Sequence, residues 1–327
     1  MGNWEHMQNL RITVAASTSN LGPGFDCLGL CLDLLLEVTL VGPATGKSHQ
    51  FLSLGGEAHS WPPPPKAPPG SPEARNSDAN AFLVAFDRAL EHYAAPLIPY
   101  AFEVTSQIPV GRGLGSTGAA VAAGLALAAE VAGRTQGETL RQELVTLGAE
   151  IEGHPDNSTA SLYGGCTLAL AENSSWRVLE PPVSESIGIA LAWGATPLST
   201  AEARLALPSA IPFQEAADQP RRLAFLLEGL RTGNGELLAL GGVDHLHEAC
   251  RLPLIPGGVE ALKAARRAGA WTANLSGAGS GMLALTPREK AEEVALAMAA
   301  ELERQDGPAS IQVARVWREG AAGLIRP

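Results

Sequence analysis

Positive charge is scarce in this chain of 327 residues, in which 23 lysines and arginines face 34 aspartates and glutamates and the formal net charge is −11. Binding to nucleic acid or to an anionic membrane surface needs a basic face that displaces counterions from phosphate groups. We therefore expect no nucleic-acid partner and no membrane partner. A small anionic ligand bound at one local site is compatible with this charge.

Long apolar runs and paired cysteines are also missing. No uninterrupted apolar stretch approaches the roughly 18 residues of a membrane-spanning helix, and the segment "MGNWEHMQNLRITV" has no apolar core of the kind found in secretion signals. Cys27, Cys31, Cys166 and Cys250 show neither Cys-x-x-Cys spacing nor pairing with histidine. Small buried thiols in a reducing compartment are favoured over a zinc site or disulfides, so we expect a cytoplasmic protein.

Apolar residues make up 46% of the chain and charged residues only 17%, which is enough apolar material for real cores. The length favours two domains, and helices and strands are interspersed without a regular βαβ rhythm, which favours an α+β fold. The segment "STSNLGPGFDCLG" (residues 17–29) reads as a loop between the first two strands. We place the domains at residues 1–173 and 174–327, with an exposed, partly disordered proline-rich excursion at about 59–78 and a final strand that can return to the first domain.

Two glycine-containing segments look like nucleotide-binding motifs but miss their patterns. In "VGPATGKS" (residues 41–48) only three residues separate the glycines where a P-loop needs four, and the following "HQFLSL" is strand-like rather than helical. "GRGLGS" (residues 111–116) does not match the G-x-G-x-x-G fingerprint of dinucleotide-binding folds. The sequence therefore predicts neither of these two sites.

The segment "IPVGRGLGST" (residues 108–117) is a better candidate for a phosphate site. Three alternating glycines lie between a predicted strand and a small-residue helix: Gly111, Gly113 and Gly115. Glycines permit positive φ and close approach to a ligand, and successive N–H groups at a helix N-terminus form an anion-binding nest. Ser116 or Thr117 can cap that helix, which we expect to run to about residue 132. The alternative is an ordinary strand-to-helix turn.

This loop contains no lysine, so phosphate charge would have to be met by backbone dipoles, arginine and a metal ion. Mg²⁺ prefers hard oxygen ligands, often one carboxylate with a hydroxyl and the phosphates. Ser116 supplies a hydroxyl. Glu152 is a candidate carboxylate because it ends a predicted helix, where the dipole disfavours negative charge unless a cation lies near. The alternative for Glu152 is an exposed side chain without a role.

Three segments, in this order and at these separations, resemble the motifs of the GHMP kinases: "STSNLGPGFDCLGL", "IPVGRGLGSTGAA" and "NLSGAGSGMLAL". Within that superfamily, the first segment together with "EGHPDN", "LSTAEARLALP" and "CRLPLIPG" is similar to the homoserine kinases, and the resemblance extends over roughly residues 12–285. It implies the GHMP kinase fold, an α+β fold with a ribosomal-protein-S5-like N-terminal domain and a ferredoxin-like C-terminal domain. A homodimer would be in keeping with this superfamily.

The resemblance further implies phosphorylation of the L-homoserine hydroxyl for threonine biosynthesis, with ATP and Mg²⁺ as cofactors. The ATP phosphates would lie on one loop: Pro109, Val110, Gly111, Arg112, Gly113, Leu114, Gly115, Ser116, Thr117, Gly118 and Ala119. Mg²⁺ would lie between Ser116 and Glu152, and adenine would lie against the region carrying Asn80. The third motif, residues 276–281, would support the phosphate loop.

Homoserine is a zwitterion with a terminal hydroxyl, so its site needs a cation, an acceptor for the ammonium and a partner for the hydroxyl. The resemblance assigns these roles to five residues: Arg204 and Arg251 for the carboxylate, Thr200 for an added hydrogen bond, Asp26 for the ammonium, and Asn20 for the hydroxyl. Taken without the resemblance, Arg204 is an exposed helix residue paired with Glu202, and Arg251 is a charge at a helix C-terminus. 

Phosphoryl transfer depends mainly on positioning and charge stabilisation, so no strong general base is obligatory. We therefore expect Asn157 to orient the reactants in preference to Asp156 acting as a base. The chain departs from the family pattern at Thr117-Gly118 and Ser280-Gly281. Gly118 costs up to about 1 kcal/mol of helix propensity and Gly281 is expected to loosen the third motif. Two alternatives stay open, a GHMP kinase for another alcohol such as mevalonate or a sugar, and a non-catalytic ligand-binding protein of this fold.

Overall fold

The computed structural model describes residues 9–75, 80–134, 137–173 and 175–321. Within them the strands are β1 (Leu10–Asn20), β2 (Gly24–Pro43), β3 (Gln50–Gly56), β4 (Tyr100–Ser106), β5 (Cys166–Glu172), β6 (Ser175–Leu179), β7 (Ile187–Trp193), β8 (Thr272–Leu275), β9 (Met282–Pro287) and β10 (Ser310–Ala314). The helices are α1 (Ala81–His92), α2 (Ser116–Val131), α3 (Glu138–Glu152), α4 (Asp156–Tyr163), α5 (Thr200–Leu205), α6 (Phe213–Thr232), α7 (Gly235–Gly241), α8 (Glu248–Arg251), α9 (Gly258–Arg267) and α10 (Ala291–Asp306).

A long hairpin organises the first sheet. β1 and β2 pair antiparallel, and the 20-residue β2 also pairs with β4 and β5, which gives the order β3-β4-β2-β5-β6 with β1 against β2. Only residues 21–23 form the hairpin turn. The prediction of a loop at residues 17–29 is therefore wrong, because most of these residues belong to β1 and β2. Ser17 and Thr18 are polar yet fully buried, so this part of β1 lacks the polar–apolar alternation that reveals a strand.

Helix α2 packs into the core of the first layer because its side chains are small. Every residue from 118 to 129 is buried, and the helix contacts α1, β1 and α4. A Cβ atom at Gly124 would lie only 2.4 Å from the carbonyl oxygen of Phe82 in α1. Such close packing leaves little freedom to α2 and fixes its N-terminus, at Ser116, where the glycine loop ends.

The second sheet has the order β10-β7-β9-β8 with all neighbours antiparallel. Along the chain β7, α9, β8, β9, α10 and β10 give the β-α-β-β-α-β order of a ferredoxin-like domain, which confirms the predicted fold class. Helices α9 and α10 cover one face, where Ala261 and Met298 pack against Ala273 and Ala284.

The first sheet continues past residue 173, the predicted end of the first domain, because strand β6 pairs with β5 and ends at Leu179. After β10 the chain runs back to the first sheet, where Val316 bridges to Leu32. All four cysteines are free thiols, and Cys31 and Cys166 are buried as predicted. In the described part of the chain, no helix is long and apolar enough to cross a membrane.

The proline-rich segment is docked rather than an exposed excursion, as far as the described residues show it. Trp61 is 9% exposed and belongs to the main core. The backbone N–H of Gly70 donates to the carboxylate of Asp87 in α1 at 2.9 Å. Residues 76–78 of the predicted segment lie outside the described residues. Prolines disfavour strands and α-helix interiors here, and Pro72–Arg75 form a short 3₁₀ helix. The prolines do not prevent one tryptophan and one backbone hydrogen bond from holding the segment.

Candidate active site

A cleft of about 590 Å³ lies between the glycine loop, the β1–β2 hairpin turn, the start of α5 and the buried α8. Almost all the predicted site residues line it: Asn20, Asp26, residues 109–118, Glu152, Asn157, Thr200, Arg204 and Arg251. The segment 277–279 of the third glycine motif closes one side. Residues far apart in sequence thus meet in one cavity.

The glycine loop has the backbone conformation that its sequence predicts. Gly111, Gly113 and Gly115 have φ of +70°, +66° and +66°, a region that side chains rarely adopt. The loop also has no room for larger residues, because a Cβ at Gly113 would lie 1.8 Å from the carbonyl oxygen of Ser276. The Ser276 hydroxyl donates to the carbonyl of Gly113 at 2.7 Å, so the third motif supports this loop directly.

Helix α2 begins without the side-chain cap that the sequence predicts from Ser116 or Thr117. Gly115 is the N-cap, in a left-handed conformation, and no side-chain hydrogen bond caps the helix. The reason is geometric, since both hydroxyl residues already lie inside the helix. Their side chains instead line the cleft at the positive end of the helix dipole.

The two departures from the family pattern are both places of close approach. A Cβ at Gly118 would lie 2.6 Å from Cβ of Asn157, where the N-termini of α2 and α4 meet. A Cβ at Gly281 would lie 2.3 Å from the carbonyl oxygen of Arg112. In both positions glycine allows two backbones to pack, and the third motif is held by the Gly281 N–H donating to that same carbonyl at 3.2 Å.

Glu152 ends α3 and lines the cleft, as does Ser116. Its side chain is half-buried, and its Oε2 atom is buried without a hydrogen-bond partner. Burial raises the pKa of Glu152 to about 7, although the nearby His154 opposes that shift. An orphaned buried carboxylate oxygen facing a cleft fits a hard cation. Among the described residues no cluster of three or more histidines, cysteines, aspartates or glutamates could hold a metal, so phosphates and water would have to complete such a site.

A histidine–aspartate pair in the cleft was not predicted from the sequence. His154 Nδ1 lies 2.6 Å from Oδ1 of Asp156, and both residues line the cleft. Burial lowers the pKa of His154, but the hydrogen bond and charge of Asp156, together with the charge of Glu152, outweigh burial and raise it above its ordinary value. The sequence signal for this pair is the spacing in "HPD", because the side chains of two residues that are two positions apart at the start of a helix can contact each other.

Asn157 sits in the first turn of α4 and reaches across to β1. Its Oδ1 accepts from the Ser19 hydroxyl at 3.1 Å, and its Nδ2 donates to the Ser17 hydroxyl at 3.0 Å. These contacts tie α4 to the strand that leads into the hairpin turn. Asn157 is thereby fixed beside the glycine loop, within 3.0 Å of the place where a Cβ of Gly115 would be.

Asn20 and Asp26 flank the hairpin turn and hold it together. Both are left-handed, with φ of +70° and +55°, a conformation that Asn and Asp tolerate better than most residues. The Asn20 Nδ2 donates to the carbonyl of Gly277 at 2.9 Å, and its Oδ1 accepts from the backbone N–H of Asp26 at 3.1 Å. The turn is therefore anchored to the third glycine motif, and Asp26 faces the cleft.

Arg204 pairs with Asp26 and not with Glu202. Its two terminal nitrogens donate to the two Asp26 oxygens at 3.1 and 2.8 Å, a bidentate arrangement. Glu202 instead forms a capping box with Ser199 at the start of α5. That capping box places Thr200, which is exposed, at the rim of the cleft.

Arg251 is only 2% exposed, which is unusual for an arginine. Its Nε donates to the carbonyl of Ala203 at 3.2 Å, and its guanidinium carbon lies 5.3 Å from the ring centroid of Phe25. Burial, together with the charge of Arg204, lowers its pKa. It is thus a desolvated cation at the floor of the cleft rather than a surface charge at a helix end.

Two predicted residues do not reach the cleft. Asn80 is buried, and its side chain is used to cap α1 and to donate to the carbonyl of Pro62. Ala119 is also fully buried, in the core of the first layer. The cleft is lined instead by Ala81 and Val84 of α1 and by Val121 of α2. These side chains lie on the faces of the two helices that are turned towards the cleft.

The fold and the cleft together define a small-molecule kinase of the GHMP class. Residues 80–165 match the family described as GHMP kinases N terminal domain, and residues 223–304 match GHMP kinases C terminal. A crystal structure of homoserine kinase from Cytophaga hutchinsonii ATCC 33406 has a TM-score of 0.76 at 24% identity, and the match covers 96% of each chain. That likeness shows the shared fold.

Sequence relatives narrow the class. The chain is 39% identical over 295 residues to a homoserine kinase of Prochlorococcus marinus strain MIT 9303, covering 89% of this chain and 88% of the relative. It is 38% identical over 306 residues to a homoserine kinase of Synechococcus sp. strain RCC307, covering 93% of each. The chain belongs to the homoserine kinase family.

Proposed function

We propose that this protein transfers the γ-phosphoryl group of ATP to the side-chain hydroxyl of L-homoserine, which makes O-phospho-L-homoserine for threonine biosynthesis. The observation that carries the proposal is one continuous cleft in which the glycine loop faces two arginines, an aspartate and an asparagine. Family membership supports the same substrate. In the reaction the hydroxyl oxygen bonds to the γ-phosphorus, the bond to the β–γ bridging oxygen breaks, and ADP and the hydroxyl proton leave.

The ATP phosphates would lie on residues 109–118. This loop offers backbone N–H groups at positive-φ glycines and the N-terminus of α2, two features that attract anions without lysine. Arg112 is the cation of the loop. Its Nη2 donates to the carbonyl of Ala195, whereas its Nη1 is buried without a hydrogen-bond partner. The backbone N–H groups and this guanidinium would together bind the phosphates.

Ser116 and Glu152 would hold Mg²⁺ together with the phosphates. When bound, such an ion supplies positive charge that offsets the charge of the transferring phosphoryl group. The buried, unpartnered Oε2 of Glu152 supports this assignment. Removal of Glu152 should accordingly raise the Mg²⁺ concentration needed for half-maximal activity while the protein stays folded.

Homoserine would replace the ion pair between Asp26 and Arg204, with each of these side chains binding one charged group of the substrate. Asp26 and Arg204 carry opposite charges, and so do the ammonium and the carboxylate of the substrate. The carboxylate can bind Arg204 and the buried Arg251, while the ammonium binds Asp26. The exchange leaves no charge unpaired, which matters because an uncompensated charge in a desolvated site costs several kcal/mol.

Asn20 and Asn157 would orient the reactants at the boundary between the two halves of the cleft. Both amides are fixed by hydrogen bonds to backbone or hydroxyl groups, so they hold position without being charged. Phosphoryl transfer gains its rate mostly from such positioning and from charge stabilisation. Asp156 would act chiefly by holding His154.

An ADP-release assay tests the proposal directly. The purified chain with Mg-ATP is offered homoserine, mevalonate and galactose in parallel, and we expect turnover with homoserine alone. Turnover with mevalonate or galactose would assign the chain to another alcohol. Binding of homoserine by calorimetry without any ADP release would instead support a non-catalytic ligand-binding protein.

A further inference from the structure

His247 lies behind the cleft and contacts both the β1–β2 hairpin, which carries Asp26, and the side chain of Arg251. It is 1% exposed and does not line the cleft itself. Its ring stacks on Phe25 with a centroid distance of 5.2 Å and an interplanar angle of 26°. Phe25 directly precedes Asp26 in the hairpin, so the buried ring of His247 packs against the part of the hairpin that carries Asp26.

The two ring nitrogens of His247 have partners of opposite kind. Nδ1 lies 3.2 Å from a terminal nitrogen of Arg251, and Nε2 lies 3.2 Å from the carbonyl oxygen of Gly22. A guanidinium can only donate and a carbonyl can only accept. The neutral ring with its proton on Nε2 is therefore the form that satisfies both partners at once.

We propose that His247 is a positioning residue, which aims the guanidinium of Arg251 at the substrate carboxylate and holds the hairpin turn at Gly22. The proposal rests on the proposed function, because Arg251 is taken as the carboxylate-binding residue. Arg251 is also held by the carbonyl of Ala203 at 3.2 Å, and the nitrogen that faces His247 lies 3.5 Å from the carbonyl of Gly277. With one nitrogen on Ala203 and another on His247, the planar guanidinium has a single orientation against Phe25.

The charges around the ring are compatible with this neutral form. Burial lowers the pKa of His247, the carboxylate of Asp244 opposes that shift, and the charge of Arg251 lowers it further. Asp244 Oδ1 lies 3.8 Å from Nε2, and Asp26 in the hairpin is the other acidic group that acts on the ring. A second proton, on Nδ1, would point at the guanidinium and break the contact.

Steady-state kinetics of three variants test the proposal. We expect H247A to raise KM for homoserine about 10- to 100-fold, because a buried guanidinium loses an acceptor, while KM for ATP changes by less than about twofold. H247Q offers an acceptor and a donor on one amide and should recover most of the loss. H247F keeps the stacking on Phe25 without either hydrogen bond and should behave like H247A.

H245A is the matched control. His245 lies two residues away, and its ring also pairs with a carboxylate, Asp218 at 3.1 Å, but it makes no contact with Arg251. Its removal should leave both KM values unchanged. Equal effects of H245A and H247A, or an H247A enzyme whose two KM values rise together, would overturn the positioning role.

The outcomes separate this inference from the proposed function. A wild-type enzyme without homoserine-dependent turnover contradicts the function, whereas an active wild type with an unaffected H247F contradicts only the inference. If H247A does not fold, the comparison of H247Q with H247F decides. Independently of activity, ¹⁵N NMR of the histidine rings should show a signal that disappears in H247Q and that reports a neutral His247 ring, protonated on Nε2, at neutral pH. A doubly protonated His247 ring would overturn the proposal.

Discussion

At the scale of single residues, Gly118 shows two physical effects in competition. Glycine in the first turn of a helix costs up to about 1 kcal/mol relative to alanine, so the sequence alone suggests a weakness. The structure places Asn157 so close that an alanine Cβ would lie 2.6 Å from its Cβ. That distance demands movement of one helix, and the packing cost outweighs the gain in helix propensity.

We predict that Gly118→Ala destabilises the protein by about 1–3 kcal/mol, as expected for an overpacked core position. It should also raise KM for ATP, because the shifted α2 carries the end of the phosphate loop. Urea unfolding and the kinetics measure the two effects. A variant that is more stable than the wild type and binds ATP equally well would mean that propensity outweighs packing here.

A substitution of Asp156 can distinguish a general base from a residue that only positions its neighbours. It is buried, holds His154 at 2.6 Å and accepts from the backbone N–H of Asn157 at 2.8 Å. If it acts only through these contacts, Asp156→Ala should lower kcat by about 10- to 100-fold. Asp156→Asn, which keeps an acceptor, should lose less. A loss beyond about 10⁴-fold in both variants would instead identify an essential base.

At the scale of elements, the proline-rich segment packs against α1, a helix that lines the cleft on the side proposed to bind nucleotide. Its Trp61 packs against Phe82 in α1, with ring centroids 6.3 Å apart. The cap residue of α1, Asn80, donates to the carbonyl of Pro62. Since Ala81 and Val84 of α1 line the cleft, the segment helps to set the position of that helix.

We predict that Trp61→Ala lowers the free energy of unfolding by about 3 kcal/mol, within the range for large-to-small changes in a core. KM for ATP should rise while KM for homoserine stays the same, because α1 lies on the side of the cleft that is proposed to bind ATP. Pro63→Ala, at an exposed position of the same segment, is the control and should change neither. Equal effects of the two substitutions would show that the segment is not anchored through Trp61.

At the scale of the whole molecule, a buried carboxyl makes stability depend on pH. Glu248 is 9% exposed and accepts from the backbone N–H of Leu275 at 2.6 Å. Burial raises its pKa from 4.5 to about 7, although that hydrogen bond opposes the shift. Because the folded-state pKa lies above that of the unfolded chain, protonation stabilises the fold at low pH, and this contribution is lost as the pH rises towards 7.

We predict that Glu248→Gln, which keeps an acceptor for Leu275, becomes more stable relative to the wild type as the pH rises. The difference in free energy of unfolding should grow by up to about 3 kcal/mol between pH 4.5 and pH 8. Urea unfolding of both proteins across this range measures it. A difference that is constant with pH would show that Glu248 titrates at its ordinary pKa.

Local sequence patterns and the family resemblance were enough to predict the loop conformation, the fold class and most residues of the proposed site. The alternating glycines required positive φ, the order of helices and strands indicated an α+β fold, and the family motifs brought Asn20, Asp26 and the two arginines into one predicted site. These features depend on the backbone preferences of a few neighbouring residues or on segments that retain their order. They do not require knowledge of which side chains face each other.

The partners of these residues depend on tertiary packing. That Arg204 pairs with Asp26, that Gly118 makes room for Asn157 and that His247 supports Arg251 all follow from how α2, α4, α5 and α8 pack around the hairpin. Asn80 is a further example, since it caps α1 while the next residue, Ala81, lines the cleft. The local sequence was enough to predict the conformation of the glycine loop and the residue types of the proposed site. Their pairing needed the packed fold, because burial and hydrogen bonding join residues far apart in the chain, such as Asn20 and Gly277, which are 257 positions apart.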